Sequence, residues 1–427
     1  MHTVEMINYI IMCLFFACYV YQFLYIPIAW LPGKKRPDTL RAIGAAPKHR
    51  FAVLIAARNE EAVIGKLIDS VRDQSYDTRL TGIYVVADNC TDATARAARR
   101  HGAIVYERHD ASHRGNGWAL DFLLREMGRH DLLFYDAYLV LDADNVLDRD
   151  FILHMNETFS AGYDIVTCYR NSKNFGDNWI SAGYALWFLR ESRYLNGARM
   201  RLGSSCGVSG TGFLFSAAVL EAQGGGWPFH LLTGDIEFTI HNVTRGLRVG
   251  YCAEAVLYDE QPVCFRQSWA QRLRWSRGYM QVFGKYGRAL ISGIVHGSFS
   301  CYDMAMSIMP AAVLTGLSIV VNVGAALVNV LYYHEWGVLG VSALQTLLNL
   351  YLTLFVVGSI TAFTERRSIH CSTAKKVLYT FTFPMFMLTY VPIVIESLFV
   401  TPEWTHIDHT RAFDVSEICA EKCEDAV

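Results

Sequence analysis

Between about Arg50 and Glu254, short apolar runs alternate with segments of helical periodicity, a pattern that predicts an α/β domain. Phe51–Ala57 reads as a buried strand, Glu60–Asp73 as a helix and Gly82–Ala87 as a second strand. Thr91 stands where it would cap an alanine-rich helix with Arg99 and Arg100 in its last turn and Gly102 beyond its end. Ala103–Glu107 and Tyr138–Leu141 read as the third and fourth strands. Open α/β sheets bind ligands beyond the carboxyl ends of their strands. Three polar clusters fall there, Arg58-Asn59-Glu60, Asp88-Asn89 and Asp142-Ala143-Asp144, each following an apolar run.

Outside this region the pattern changes to long uncharged runs. Met6–Leu31 is long enough to span a bilayer and exceeds the apolar part of a signal peptide. Lys34, Lys35 and Arg36 follow it and assign that end to the cytoplasm. Met304–Tyr333 and Trp336–Thr364 are two more such runs, joined through His334 and Glu335, which suits an outside turn. The loop carrying Glu365, Arg366, Arg367, Lys375 and Lys376 then belongs inside, on the same side as the α/β region. Val377–Ile395 is also long enough to cross, but Pro384 and Pro392 interrupt it and Glu396 follows. A crossing would leave the tail outside; a re-entrant or interfacial course would keep it inside.

Composition removes several function classes. A formal net charge of -2 argues against a nucleic-acid partner. The 11 cysteines show no paired metal-ligand spacing, and Cys419 with Cys423 in an acidic tail is too little for a zinc site. In a cytoplasmic region these thiols are expected to be reduced and structural. No Gly-x-Gly-x-x-Gly follows the first strand, which speaks against a Rossmann dehydrogenase.

Three sets of residues carry candidate chemistry. Asp142 and Asp144 are two apart at a strand end, so an extended backbone would point both carboxylates one way, where their repulsion calls for a cation. Mg²⁺ or Mn²⁺, held by one or two carboxylates plus substrate phosphates, meets that need. Asp235 sits at the expected start of a helix ending near Gly246, where the dipole would lower its pKa unless burial or a nearby acid compensates. Gln271, Arg274 and Trp275 share one helix face, in a segment rich in arginine and aromatics that also suits a bilayer interface. Arg274 offers a fork of donors to a diphosphate, and Trp275 a flat platform to a sugar ring.

Taken in order, Ala-Arg-Asn-Glu-Glu (57–61), Val-Ala-Asp-Asn-Cys (86–90), Leu-Asp-Ala-Asp (141–144), Thr-Gly-Asp (233–235) and Gln-Arg-Leu-Arg-Trp (271–275) resemble the family-2 processive glycosyltransferases. That group contains the cellulose, hyaluronan, chitin and poly-N-acetylglucosamine synthases, and the match in order and spacing runs over roughly residues 48 to 290. The resemblance implies a GT-A-like nucleotide-sugar-binding domain inserted between one N-terminal and two or three C-terminal transmembrane helices. The expected divisions are an N-terminal helix at 1–34, the glycosyltransferase domain at 48–260, interfacial helices at 261–300, membrane helices at 303–400 and a polar tail at 401–427. It also implies roles. Asp88, with Asn59 and Glu60, would hold uridine; Asp142 would touch the diphosphate and Asp144 would ligate the metal. Asp235 would be the base that deprotonates the acceptor hydroxyl. Gln271, Arg274 and Trp275 would hold the diphosphate and frame the acceptor, and Thr211, in Ser209-Gly210-Thr211-Gly212, would line the acceptor site. The reaction would be a single inverting displacement giving a β-linkage from a UDP-sugar, UDP-glucose or UDP-N-acetylglucosamine. The tail at Glu403-Trp404-Thr405-His406-Ile407 resembles tryptophan-containing tails on the cytoplasmic side of some relatives, which favours the re-entrant course for Val377–Ile395.

Two departures stand out. Gly234 replaces the acid that usually precedes the base, with Glu237 as the nearest substitute, and Asn116 stands where many relatives carry lysine. The first expectation is a membrane-integrated enzyme that extends a β-linked glycan. With three or four spans its channel would be sparse, so a small membrane subunit or a homo-oligomer would complete it. The alternatives are a non-processive enzyme that adds one sugar to a lipid or carrier, and a catalytically silent nucleotide-sugar-binding membrane protein.

Overall fold

The computed structural model describes residues 2–31, 46–309, 336–402, 407 and 409–420, with scattered positions between 310 and 335. Helix α1 (His2–Trp30) precedes a domain of alternating elements. These are β1 (Phe51–Ala57), α2 (Ile64–Arg72), β2 (Thr81–Asp88), α3 (Thr94–Arg100), β3 (Ile104–Arg108), α4 (Asn116–Arg129), β4 (Ala137–Asp142) and β5 (Val146–Leu147). The chain continues through α5 (Phe151–Ser160), β6 (Ile165–Ser172), α6 (Trp179–Arg190), a π-helical turn (Glu191–Asn196) and α7 (Gly197–Leu202). Then come β7 (Phe213–Ser216), α8 (Ala217–Ala222), α9 (Gly234–Val243), β8 (Val249–Asp259), α10 (Phe265–Val295) and α11 (Phe299–Ile308). Helices α12 (Trp336–Thr364), α13 (Thr373–Leu388), α14 (Tyr390–Phe399) and α15 (Val415–Ala420) complete the described elements.

The eight strands form one sheet in the order β3-β2-β1-β4-β7-β6-β8-β5. The first four are parallel, β7 runs antiparallel to both β4 and β6, and β8 pairs parallel with β6. Register sets Ala56 opposite Asp142 and Ala57 opposite Ala87, so the polar clusters that follow β1, β2 and β4 meet at one edge. The apolar runs of β1 and β4 are buried on both faces, Phe51, Val53 and Leu139 against α2 and α5, Ala52, Leu54 and Tyr138 against α4 and α6.

The strands expected from the sequence all form, with ends shifted by a residue or so. Two local expectations are corrected. Thr91 does not cap the alanine-rich helix; Asp92 accepts from the Thr94 N–H at 3.0 Å, while the Thr91 N–H goes to Asn59 Oδ1 at 2.8 Å. The helix expected from Glu60 begins at Ile64, because a turn over Glu60 precedes it, its carbonyl accepting from the N–H groups of Val63 and Ile64.

Three helical stretches are long and apolar enough to cross a membrane: Tyr9–Trp30, Leu344–Thr364 and Thr373–Phe399. Much of the Met304–Tyr333 run beyond residue 309 lies outside the described residues. Pro384 and Pro392 sit within the third stretch, whose helix breaks at Thr389, where Pro392 has no N–H to offer the Leu388 carbonyl. Buried Arg272 stitches the break, donating to Phe386 O at 3.2 Å and Thr389 Oγ1 at 2.6 Å and lying 4.3 Å from the centre of the Phe386 ring. The stretch contacts the α/β domain and α10 along its length. Tyr379 donates to Gly176 O, Trp269 Nε1 donates to Glu396 at 2.7 Å, and Arg277 donates to Ser397 O at 3.2 Å.

The N-terminal helix is fastened by one carboxylate. Asp303, fully buried on α11, accepts from Arg199 Nε and Nη2 at 2.7 and 3.0 Å, and from the hydroxyls of Tyr21 and Tyr25 at 2.7 and 2.8 Å. Two elements, α1 and α7, thus depend on one side chain of a third. Asp303→Ala strips the buried Arg199 charge of its partner, and is expected to cost about 3–5 kcal/mol of stability. A fall in the thermal unfolding midpoint of the detergent-solubilised protein, larger than for Ser307→Ala, checks it.

Candidate active site

At the carboxyl edge of the sheet two chambers meet. The larger, of about 1300 Å³ with its open mouth, is lined by Asp142, Glu191, Asp235, Gln271, Arg274 and Trp275 among others. The smaller, of about 820 Å³, is lined by Glu60, Asp88, Asp142, Asp144, Glu260 and His409 among others. Asn116, Asp142, Arg170, Gln271 and Arg274 border both, so the two form one continuous space.

Asp142 ends β4, and Asp144 lies in the turn beyond it rather than on extended backbone, so the turn and not a strand period sets their relation. Asn145 and Thr211 fix that turn: the Asp142 N–H donates to Asn145 Oδ1 at 3.0 Å and to Thr211 Oγ1 at 2.9 Å. Asp144 accepts from the Glu260 N–H at 2.8 Å. Burial, and next the Asp144 charge, push the Asp142 carboxyl up to about 7. That conflict marks a place for a cation. The donor set fits Mg²⁺ or Mn²⁺ completed by substrate phosphates, and Asp144 is the residue that would hold it, with Asp142 beside it. Among the described residues no group of three or more acidic, histidine or cysteine side chains stands ready as a full cage, as expected if phosphates must complete the shell.

Asp88 accepts from Arg108 Nη1 at 2.6 Å and from Asn89 Nδ2 at 2.9 Å. Burial raises its pKa above the usual aspartate value even with Arg108 pulling the other way. Asn59, in a left-handed conformation at φ 56°, lines neither chamber; its amide oxygen ties the β1 loop to Thr91. Thr211 lines neither chamber as well, its hydroxyl being engaged by Asp142 and Asn145.

Asp235 opens α9 as expected and faces the larger chamber, where the Gly210 N–H donates to its Oδ2 at 2.8 Å. Burial raises its pKa against the backbone N–H groups and Arg274, which lower it. Gly210, at φ 79°, lets the small-residue loop turn its N–H toward this carboxylate. Gly234 is explained by crowding, since a Cβ there would lie 3.0 Å from the Phe229 carbonyl oxygen. Glu237 does not replace the missing acid. It is fully buried and holds Lys285 at 2.5 Å, with the Leu231 N–H on its other oxygen. Besides Asp142 and Asp235, this chamber holds Glu191, on the π-helical turn, where it accepts from Ser209 Oγ at 3.2 Å.

Gln271, Arg274 and Trp275 lie on α10 with their faces toward the chambers. Gln271 Oε1 is buried and meets no donor among the described residues, as befits a group that awaits a ligand. Arg274 spends one donor on Leu232 O at 3.1 Å, and Trp275 packs edge-on against Tyr184 and Phe188.

Several site residues escaped the sequence reading. Arg170 on β6 lies between the chambers, donating to Asp259 at 2.6 Å and Ser209 O at 2.7 Å. The segment around Ile407–Asp414 straps the smaller chamber: His409 meets Glu60 at 2.9 Å, Glu260 accepts from the N–H groups of Thr410 and Arg411, and Lys66 bridges to Asp414 at 2.8 Å. Burial pushes Glu60 up to about 7, while Asp144 and Glu60 outweigh burial and hold His409 up at about 10. Much of the Glu403–Ile407 tail motif lies outside the described residues. The signal for the strap was the Asp-His-Thr-Arg that follows it, which sequence offered no reason to place beside Glu60.

The family description "Glycosyltransferase like family 2" matches residues 47–278, more than half of the chain. The chain belongs to that family. The domain is accordingly a transferase of the GT-A fold. It is similar, at 25% identity over 60% of its own length and 53% of the relative's, to the beta-monoglucosyldiacylglycerol synthase of Synechocystis sp.. It is also 25% identical to the poly-beta-1,6-N-acetyl-D-glucosamine synthase of Staphylococcus aureus, over 58% of each chain. These matches span little more than half of the relatives. The mannosyltransferase PcManGT of Pyrobaculum calidifontis, solved with GDP-Man and Mn2+, shares the fold with a TM-score of 0.59, covering 93% of this chain and 99% of that one at 17% identity.

Asp144→Asn in this glycosyltransferase is expected to weaken metal-dependent UDP binding at least about tenfold. Calorimetric titration with UDP in Mg²⁺ and in EDTA checks it; equal affinities for wild type and variant in Mg²⁺ would remove Asp144 from the metal site.

Proposed function

We propose that the protein transfers a sugar from a UDP-sugar to an acceptor hydroxyl at the cytoplasmic face of a membrane, by a single inverting displacement that leaves a β-linkage. The observation that carries this reading is Asp235, a buried carboxylate of raised pKa set in the same space as the buried, partnerless Gln271 oxygen and Arg274. The smaller chamber suits the nucleotide, with Asp88 and Glu60 toward uridine and Asp142 with Arg274 toward the diphosphate. A divalent ion, bound there, would neutralise charge on the leaving diphosphate. Asp235 accepts the proton of the acceptor hydroxyl. Arg274 holds the departing UDP oxygen atoms through its fork of donors, and Trp275 gives the sugar an apolar wall.

A glycan-extending enzyme and one that adds a single sugar to a lipid share all of this chemistry. The relatives' names represent both. The apolar stretches of α1, α12 and α13 favour an acceptor drawn from the bilayer in either case. The contacts of Tyr379, Glu396 and Ser397 with the catalytic domain favour keeping α13 and α14 against its face, with the tail on the cytoplasmic side.

Sugar transfer by the purified protein in vesicles, across radiolabelled UDP-sugars with Mg²⁺ or Mn²⁺, tests the proposal. Wild type is expected to label a product from one donor. Asp235→Asn is expected to abolish transfer while UDP binding persists, and normal turnover in that variant would overturn the base assignment. A base works only when ionised, so the rate should fall as pH drops through the raised Asp235 value. The acid limb of the rate profile is then expected above the ordinary aspartate range, and a limb within that range would contradict the burial argument.

A further inference from the structure

A third chamber lies outside the catalytic space, among the helices that carry the apolar stretches. It is a half-open cleft lined by α1, α6, the π-helical turn, α12 and α13. Its walls are almost wholly hydrocarbon, from Phe23 and Ile26 of α1, Leu354 and Val357 of α12, Phe383 of α13, and Trp187 of α6. Trp187 borders the larger catalytic chamber too, so one indole separates this space from the one that holds Asp235. Next to it Arg190 marks a single cationic point. The guanidinium lies 5.2 Å from the centre of the Trp187 ring and donates to Gln22 Oε1 at 3.3 Å.

We propose that this chamber binds the hydrocarbon of a neutral, hydroxyl-bearing lipid acceptor, whose head group passes Trp187 to present its hydroxyl to Asp235. The proposal rests on the transfer reading above and names the acceptor class of that same site. Three features select this occupant. Three of the lining helices, α1, α12 and α13, carry the stretches apolar enough to lie in a bilayer, so a lipid can enter sideways between them. A glycan in transit would carry hydroxyls on every ring, more than a mainly apolar wall with a few polar groups such as Gln22, Arg190 and Thr353 could satisfy. The catalytic end has the opposite character: Asp142, Glu191 and Asp235 face the larger chamber beside Arg170 and Arg274, whose charge the donor's diphosphate takes up, and a base there has use for a hydroxyl. Arg190 and Gln22, at the junction, offer donors to an ester or ether oxygen between tail and head.

A diacylglycerol carrying a photoactivatable group in one acyl chain, in phosphatidylcholine vesicles with the full-length protein, tests this without knowledge of the natural acceptor. Label is expected on peptides containing Trp187 and Leu354, displaced by excess dioleoylglycerol but not by more dioleoylphosphatidylcholine. The chamber-filling variants Leu354→Trp and Val357→Trp should lose that label, keep UDP affinity, and raise the KM for dioleoylglycerol at least tenfold with kcat little changed. Displacement by phosphatidylcholine as readily as by diacylglycerol would mean a pocket for bulk lipid and overturn the proposal. Unchanged labelling and KM in the filled variants would overturn it as well. Diacylglycerol-specific labelling with no transfer to any acceptor would keep the chamber assignment and sink the enzymatic reading instead.

Discussion

Arg170 is the side chain around which the site is organised. It is buried between the ends of β4 and β8, where Asp142, Asp144 and Asp259 come together. Burial works against its charge, but Asp259, and then Asp142 and Asp144, outweigh burial and keep its pKa above the ordinary arginine value. A buried carboxylate without a partner would be costly enough to take up a proton. With one fixed guanidinium shared among them, the group stays compact and needs only a divalent ion and a diphosphate to complete it. Arg170 also reaches Ser209 O and stacks 3.7 Å from the centre of the Phe188 ring, so the loop that donates the Gly210 N–H to Asp235 rests on the same residue. The metal side and the base side of the site therefore share a mechanical support.

The apolar helices are tied to that support by charged groups as well. Asp303 gathers α1 and α7 onto α11, and Arg272 pins the break at Thr389 to α10. In both cases a buried arginine makes its bonds on the side away from the chambers, while a near neighbour, Glu191 or Arg274, faces the chambers. The π-helical turn helps by rotating the chain after Arg190, so that Arg190 borders the apolar chamber and Glu191 the catalytic one. Such turns recur at functional sites because the extra residue re-aims side chains that regular α-helix would hold elsewhere.

How far the sequence could be read follows from the range of each interaction. Strands β1, β2, β3 and β4 are written in continuous apolar runs, and the clusters after β1, β2 and β4 needed only the rule that parallel strands end at one edge. Asp235 and the Gln271, Arg274 and Trp275 face were visible because helix periodicity and spacing are local properties. Arg108, Arg170, Asp259 and His409 were not, because each acquires its meaning from a partner distant in the chain, as His409 does from Glu60. Asn59 and Thr211 show the converse. Their types and positions suit ligand binding, yet their side chains are engaged in holding Thr91 and Asp142 in place. A polar residue beside a site has two ways to serve it, and only the geometry separates them.

Gly234 shows how one steric fact redistributes charge around a base. An acid at this position would have to fit a Cβ 3.0 Å from the Phe229 carbonyl, on a segment already crowded by Gly117 of α4, where a Cβ would lie 2.2 Å from the same oxygen. The close approach of α4 to the loop at Phe229 thus favours glycine at two positions at once. What the base loses in a neighbouring carboxylate it recovers through burial, and Glu191 supplies negative charge to the chamber from a different element. Because Glu191 is joined to Arg190 through the π-helical turn, the residue that stands in for the missing acid is also the one linked to the apolar chamber. Two consecutive residues, Arg190 and Glu191, thus face the apolar and the catalytic chamber respectively.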